Sequence, residues 1–262
     1  MEYTQLMIDR VERVGVITIN NPPNNAFSKK MIMEMINVLN DMEKDNEIRC
    51  IMLKSTGPNF SKGADANDIH KDLNKCHEIK ESFSKLGGEL VELLDNYPKP
   101  TLVAAKGECI GGSTAVFNAF DIRIVAENFN IKDGDIYYGT VGSWGMSSLR
   151  LPIWIGRNKI MDYMFLNEGF NGRQAYDLGL VSKVVSVELV NEVGLNIAKK
   201  MATAAPIAVS YFKKCVNKAI YSNLESARNF ELEAAKIVLN TEDSKAGLAA
   251  VIKGEQAEFK GR

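Results

Sequence analysis

The sequence predicts an α/β fold with an all-helical C-terminal part, and three observations carry that prediction. Apolar β-branched runs alternate with amphipathic stretches through the first half of the 262 residues. Beyond about residue 155 almost every apolar repeat has helical spacing, and no repeat, low-complexity tract or flexible linker separates the two parts. The first half therefore reads as strands joined by right-handed helical crossovers, and the second as an appendage on the same body.

Taken in order, "YTQLMIDRVERVGVITIN" reads as two short strands with the turn at "DRVER". "NPPNNAF" breaks the chain, and Ser28 then caps a helix whose apolar residues Met31, Met35, Ile36 and Leu39 share one face. "CIMLKS" (50–55) is a continuous apolar run, as expected of a strand covered on both faces. A polar loop leads into "FSKGADANDIHKDL", and a second amphipathic helix spans roughly Glu78 to Leu94. "YPKP" stops that helix before the strand "TLVAAK". A glycine-rich turn, a helix and the strand "DIRIVA" follow. Then come "GRNKIMDYMFLNEGFNGRQAYDLGL", helical apart from its turns, and the short strand "VSKVV". Helical periods over Val187–Met201, Ile207–Tyr221, Leu224–Leu239 and Ser244–Ile252 complete the chain.

Composition excludes several classes of function. A formal charge of −1 gives no general attraction to nucleic acid or an anionic membrane. The N-terminal stretch has scattered charges and does not read as a signal peptide, and no uncharged apolar run is long enough to span a bilayer. Cys50, Cys76, Cys109 and Cys215 are widely spaced with no C-x-x-C, and the histidines are His70 and His77 alone. A zinc site is therefore not expected, and reduced thiols in a cytoplasmic protein are. His70 falls on the surface of the helix after the first polar loop.

Two stretches share one plan of strand, small-residue turn and helix start: "NFSKGADAND" (59–68) and "GECIGGSTAV" (107–116). A backbone N–H at the opening of a helix lacks an intrahelical acceptor and attracts negative charge. Two such groups converging on one point would form an oxyanion hole for a thioester enolate or tetrahedral intermediate. Ser113 either caps its helix or offers a hydroxyl to substrate. Tyr137, Tyr138 and Trp144, in "YYGTVGSWGMSS", either line an acyl pocket or pack in the core.

With "NNPPNNAFS", "NFSKGADANDI", "YPKPTLVAAKGECIGG", "FDIRIVAEN", "GFNGRQAYDLGLVSKVV" and the ending "EFKGR", the chain resembles the enoyl-CoA hydratase/isomerase family, the crotonase superfamily, in collinear order over nearly its whole length. The resemblance implies a crotonase-like spiral of β-β-α turns over residues 1–200 and a C-terminal helical trimerisation region over 201–262. It also implies homotrimers or paired hexamers, and an acyl-CoA or acyl-carrier-protein thioester as substrate, with coenzyme A entering as part of the substrate and no separate cofactor or metal. Position by position, the two oxyanion amides fall on Ala64 and Gly112. The coenzyme-cradling backbone falls on Asn24–Ala26 and Lys62–Ala66, thus Asn24, Ala26, Lys62, Asp65 and Ala66.

Family hydratases carry two glutamates, one on the helix after the glycine turn and one on the loop beyond. Here the first position holds Ala115 and the second Asp135. Adding water across a double bond uses one group to activate water and one to protonate carbon, whereas shifting a double bond needs a single base. The expectation is a hydratase/isomerase-type enzyme working with Asp135 alone, with Asp133 as a substitute if the loop register slips. A decarboxylase holding the enolate left by loss of CO₂, and an inert thioester-binding relative, are the alternative readings.

Overall fold

The computed structural model describes residues 3–73 and 82–262. Cys76, His77 and the expected start of the second amphipathic helix lie outside them.

A six-stranded sheet runs through the core: β1 (Leu6–Val11), β2 (Val14–Ile19), β3 (Cys50–Ser55), β4 (Thr101–Ala105), β6 (Ile122–Ala126) and β9 (Lys183–Val185), in that spatial order. β1 pairs antiparallel with β2 across the expected turn, and every other pairing is parallel. A second, three-stranded sheet holds β5 (Glu108–Ile110), β7 (Asn130–Lys132) and β8 (Phe170–Asn171). Isolated bridges Ser61↔Cys109 and Phe27↔Ala64 extend it across the 61–64 and Phe27 segments. The turns that begin at β2, β3, β4 and β6 thus each give one strand to the large sheet, a short extended piece to or beside the small one, and then a helix. This is the strand–strand–helix spiral of the crotonase fold.

Burial alternates with residue parity, as a pleated strand requires. Ile17, Ile51, Leu53, Val103 and Val125 face one core; Val16, Met52, Leu102, Ala104 and Ile124 face another. The first core lies under α1 (Lys29–Lys44), α3 (Phe83–Asp95) and α4 (Gly112–Asn118). α1 begins as its sequence requires, with the Ser28 hydroxyl accepting the Met31 N–H at 3.1 Å, and it buries Met31, Met35, Val38, Leu39 and Met42. The second core is sealed by α8 (Val190–Met201), where Gly194 lets the helix approach Ala104 and Met52 closely. Both faces being covered explains the continuous apolar runs of β2, β3 and β4.

Between the strands lie α2 (Ala66–Leu73), α5 (Leu151–Ile155), α6 (Arg157–Phe165) and α7 (Gly172–Asp177). α9 (Pro206–Tyr221), α10 (Leu224–Leu239) and α11 (Glu242–Lys253) form the helical C-terminal part. α9 is tied to the core by Lys213, whose ammonium reaches the Asp121 carboxylate at 2.7 Å and the Lys99 carbonyl at 3.2 Å. The final residues return to α11, where buried Asp243 accepts the N–H groups of Lys260 and Gly261, both at 2.7 Å. Among the described residues no helix is long and apolar enough to cross a membrane.

Candidate active site

The site is built at the ends of the strands, where two turns from successive repeats come together. At the first turn the Phe27 N–H donates to Gly63 O at 2.8 Å and the Asp65 N–H donates to Phe27 O at 2.9 Å. The Gly63 carbonyl and the Ala64 N–H belong to one trans peptide and point in opposite directions. The Ala64 N–H therefore faces away from Phe27. Just before it, the Ser61 N–H donates to Glu108 O and the Ile110 N–H to Ser61 O, which fixes the segment alongside β5.

The second turn follows β5 directly. Gly111 has φ +53, a left-handed backbone that suits glycine, and it turns the chain into α4. The Gly111 carbonyl accepts the Thr114 N–H at 2.9 Å, so it points into the helix and the Gly112 N–H points out of its first turn. Among the described residues neither the Ala64 nor the Gly112 N–H has a backbone acceptor. The turns touch: a side chain at Gly63, itself at φ +102, would place its Cβ 2.8 Å from the Ile110 carbonyl oxygen. The fully buried Ser113 hydroxyl clasps them further, donating to Ile110 O at 2.7 Å and reaching Ser61 O at 3.3 Å. Ser113 thus turns inward to hold the two loops rather than outward to a ligand, because the Ile110 carbonyl at the strand end lies within its reach.

The carboxylates arrive on the neighbouring strand. β7 pairs with β5, and the Gly111 N–H donates to Lys132 O at 2.9 Å, so the loop leaving β7 runs beside the glycine turn. Asp133 is buried; its carboxylate accepts the Ser147 hydroxyl and, at 3.2 Å, the Asp135 N–H. Asp135 opens a 3₁₀ turn over Asp135–Tyr138 and is half-buried, its Oδ2 lying against Gly142. Burial, reinforced by the Asp133 charge, raises the Asp135 carboxyl from 3.8 to about 6. That places it close to the pH at which a carboxylate both takes and returns a proton efficiently. Ala115 is buried on α4 and offers no second acid.

The other expected residues distribute as follows. Asn24 and Lys62 are side by side, the Lys62 N–H donating to Asn24 O at 3.0 Å, and the Asn21 amide donates to Ala26 O at 2.8 Å. The Lys62 ammonium pairs with Glu108 at 3.0 Å. The Asp65 carboxylate caps α2 through the N–H groups of Asn67 and Asp68, and Ala66 is the first residue of that helix. Tyr137 and Tyr138 are exposed, Tyr137 donating its hydroxyl to Phe165 O. Trp144 is buried against Gly112, Gly87, Phe27 and Phe83. His70 is exposed on α2. Cys50 and Cys109 are buried thiols, the former pushed up to about 12 by burial, and among the described residues no cluster could hold a metal ion.

Several supporting residues carry no local sequence signal. Ser147 reaches Asp133 from across the loop. Arg150 grips Asp95 through Nε at 3.1 Å and Nη2 at 3.0 Å and holds Gly145 O at 2.6 Å, which pins that loop to α3. Both side chains of this pair are largely buried.

A spiral of strand–strand–helix turns with a helical C-terminal part defines a protein of the crotonase class. This chain belongs to the enoyl-CoA hydratase/isomerase family, whose profile matches residues 9–262. It is 29% identical to the short-chain-enoyl-CoA hydratase of Clostridium acetobutylicum over the full length of both chains. It is 30% identical, again over the full length of both, to a probable enoyl-CoA hydratase of Bacillus subtilis. A 1,2-epoxyphenylacetyl-CoA isomerase of Escherichia coli is 25% identical over 98% of this chain and 99% of its own. Among solved structures, an enoyl-CoA hydratase from Bacillus anthracis superposes with a TM-score of 0.91 at 25% identity, over 99% of this chain and all of the other. The protein is therefore an enzyme of the enoyl-CoA hydratase/isomerase type.

Proposed function

We propose that the protein moves a double bond in an enoyl-CoA thioester, using the Ala64 and Gly112 N–H groups as an oxyanion hole and Asp135 as the single acid/base. The observation that carries this reading is the pairing of two touching turns, each with an outward N–H, with one half-buried carboxylate whose proton affinity is raised. From a 3-enoyl thioester, Asp135 takes a proton from the α-carbon. The C–H electron pair becomes the α-carbon double bond of a dienolate, and the carbonyl electrons move onto oxygen, where two N–H donors hold them. Asp135 then returns the proton to the γ-carbon, the carbonyl re-forms, and the conjugated 2-enoyl thioester leaves. Nothing is consumed, and one base is enough.

The coenzyme A portion of the substrate lies along the paired 24–26 and 62–66 segments in this reading, and an acyl-carrier protein would present the same thioester. The exposed apolar residues Phe212, Leu232, Leu248, Val251 and Ile252 of α9–α11 support assembly into homotrimers or hexamers. Hydration is the second reading, favoured by the relatives that are named hydratases. Ultraviolet absorbance separates the two. A conjugated thioester signal appearing from a 3-enoyl-CoA marks isomerisation; its disappearance from crotonyl-CoA marks hydration. A protein that binds these thioesters and changes neither signal refutes both.

A further inference from the structure

We propose that the Trp144 indole closes the acyl end of the site and confines the enzyme to short acyl groups, an inference that rests on the thioester reading above and names its substrate class. The indole is wedged between the two halves of the site and α3. On one side, a Cβ added to Gly112 would lie 2.9 Å from Cη2 of Trp144. On another, the Phe27 ring, whose strand partner is Ala64, meets the indole edge-on with centroids 6.4 Å apart. On the third, α3 presents Phe83, again edge-on at 5.4 Å, and Gly87, where a Cβ would fall 2.0 Å from Cε2 of the indole. α3 carries glycine where the ring arrives, and no larger residue fits while the ring stays.

The loop that delivers Trp144 also touches the acid: Gly142 lies against Asp135 Oδ2. The segment from Gly142 to Trp144 therefore contacts both the carboxylate and the Gly112 turn. A thioester whose oxygen sits at Ala64 and Gly112 has its α- and γ-carbons near Asp135, and the chain beyond them runs into the indole. The Arg150–Asp95 pair, with the Arg150 guanidinium also on Gly145 O, fastens the backbone beside Trp144 to α3, and Phe27 and Phe83 pack against the ring itself. The indole occupies the space between Gly87 of α3 and Gly112 at the start of α4.

The test is calorimetric binding of butyryl-CoA and octanoyl-CoA, saturated thioesters that bind without turnover, to the full chain and to Trp144→Leu. In the unaltered protein octanoyl-CoA binds no more tightly than butyryl-CoA. In Trp144→Leu the octanoyl thioester gains tenfold or more over the butyryl one, since each newly buried methylene adds about fourfold. A folded variant with an unchanged ratio, or an unaltered protein that already prefers octanoyl-CoA tenfold, overturns the proposal. Should Trp144→Leu not fold, Trp144→Phe must raise the ratio at least threefold. If neither variant folds, the ring is a core element only and the proposal fails. An unaltered protein that binds neither thioester brings down the thioester reading itself, and this inference with it; failure of the chain-length ratio alone leaves that reading standing.

Discussion

Replacing Asp135 by Asn removes the one ionisable group that the proposed chemistry uses while keeping the side chain's size. General acid–base catalysis contributes about 10²–10⁴-fold to a rate, and the turnover of a 3-enoyl-CoA should fall by that factor. Thioester affinity should change little, because the base acts only in the chemical step. The pH profile follows from the same site. With the Asp135 carboxyl at about 6, kcat/KM should fall about tenfold per pH unit below 6 and level off above it.

Stability moves the opposite way from activity. The rise from 3.8 to about 6 means that the folded state disfavours the carboxylate, by at most about 3 kcal/mol and about half of that once solvent screening of a half-buried group is included. A raised folded-state pKa gives stability that is complete below the unfolded value and lost as pH rises through about 6. Asp135→Asn should therefore melt a few degrees higher than the unaltered protein at pH 7 to 8, and the difference should vanish below about pH 4. Continuous absorbance assays and thermal melts across pH 4 to 8 test both limbs. Full turnover in the variant, or an acid limb centred near 4, would refute the assignment of Asp135 as the base.

Three further outcomes are expected. Gly63→Ala, whose Cβ would meet the Ile110 carbonyl at φ +102, should cost about 1–3 kcal/mol in denaturant unfolding and lower kcat by pushing the two turns apart. Arg150→Ala leaves the Asp95 carboxylate unpaired in a largely buried place and should destabilise by about 3–5 kcal/mol, read from chemical denaturation. Ala115→Glu adds a second carboxylate on α4 and should raise crotonyl-CoA hydration, measured as loss of the conjugated absorbance, while lowering the melting temperature because position 115 is buried.

Much of the fold was legible because its long elements carry strong periodicity. α10 has the bounds its apolar spacing gives; α9 starts one residue earlier and ends where expected, and α11 extends two residues earlier and one later. The small sheet was not legible in this way. β5, β7 and β8 are two or three residues long, and Phe27 and Ser61 join as single bridges, too short for any alternation to register. At the site, the glycine turns announce themselves through residues that tolerate a left-handed backbone. Their neighbours do not. Ser147 on Asp133, Arg150 on Asp95 and Gly87 under Trp144 are pairings between segments far apart in sequence, made by the way the spiral closes. Ser113 shows the same limit: its position beside Gly112 was plain, but the direction of its hydroxyl depends on a carbonyl that only the folded strand end supplies.

The outward N–H groups at Ala64 and Gly112 belong to the main chain, and their aim is set by peptide planes locked into neighbouring strands. Exchange for any residue except proline leaves such donors in place as long as the path of the backbone is kept. The carboxylates and the indole, by contrast, are side chains on a separate loop, and each is one codon from loss or replacement. If the two N–H groups hold a thioester oxygen as proposed, a scaffold divided in this way keeps that hold when the side chains of the loop are exchanged, and the chemistry performed there changes without it.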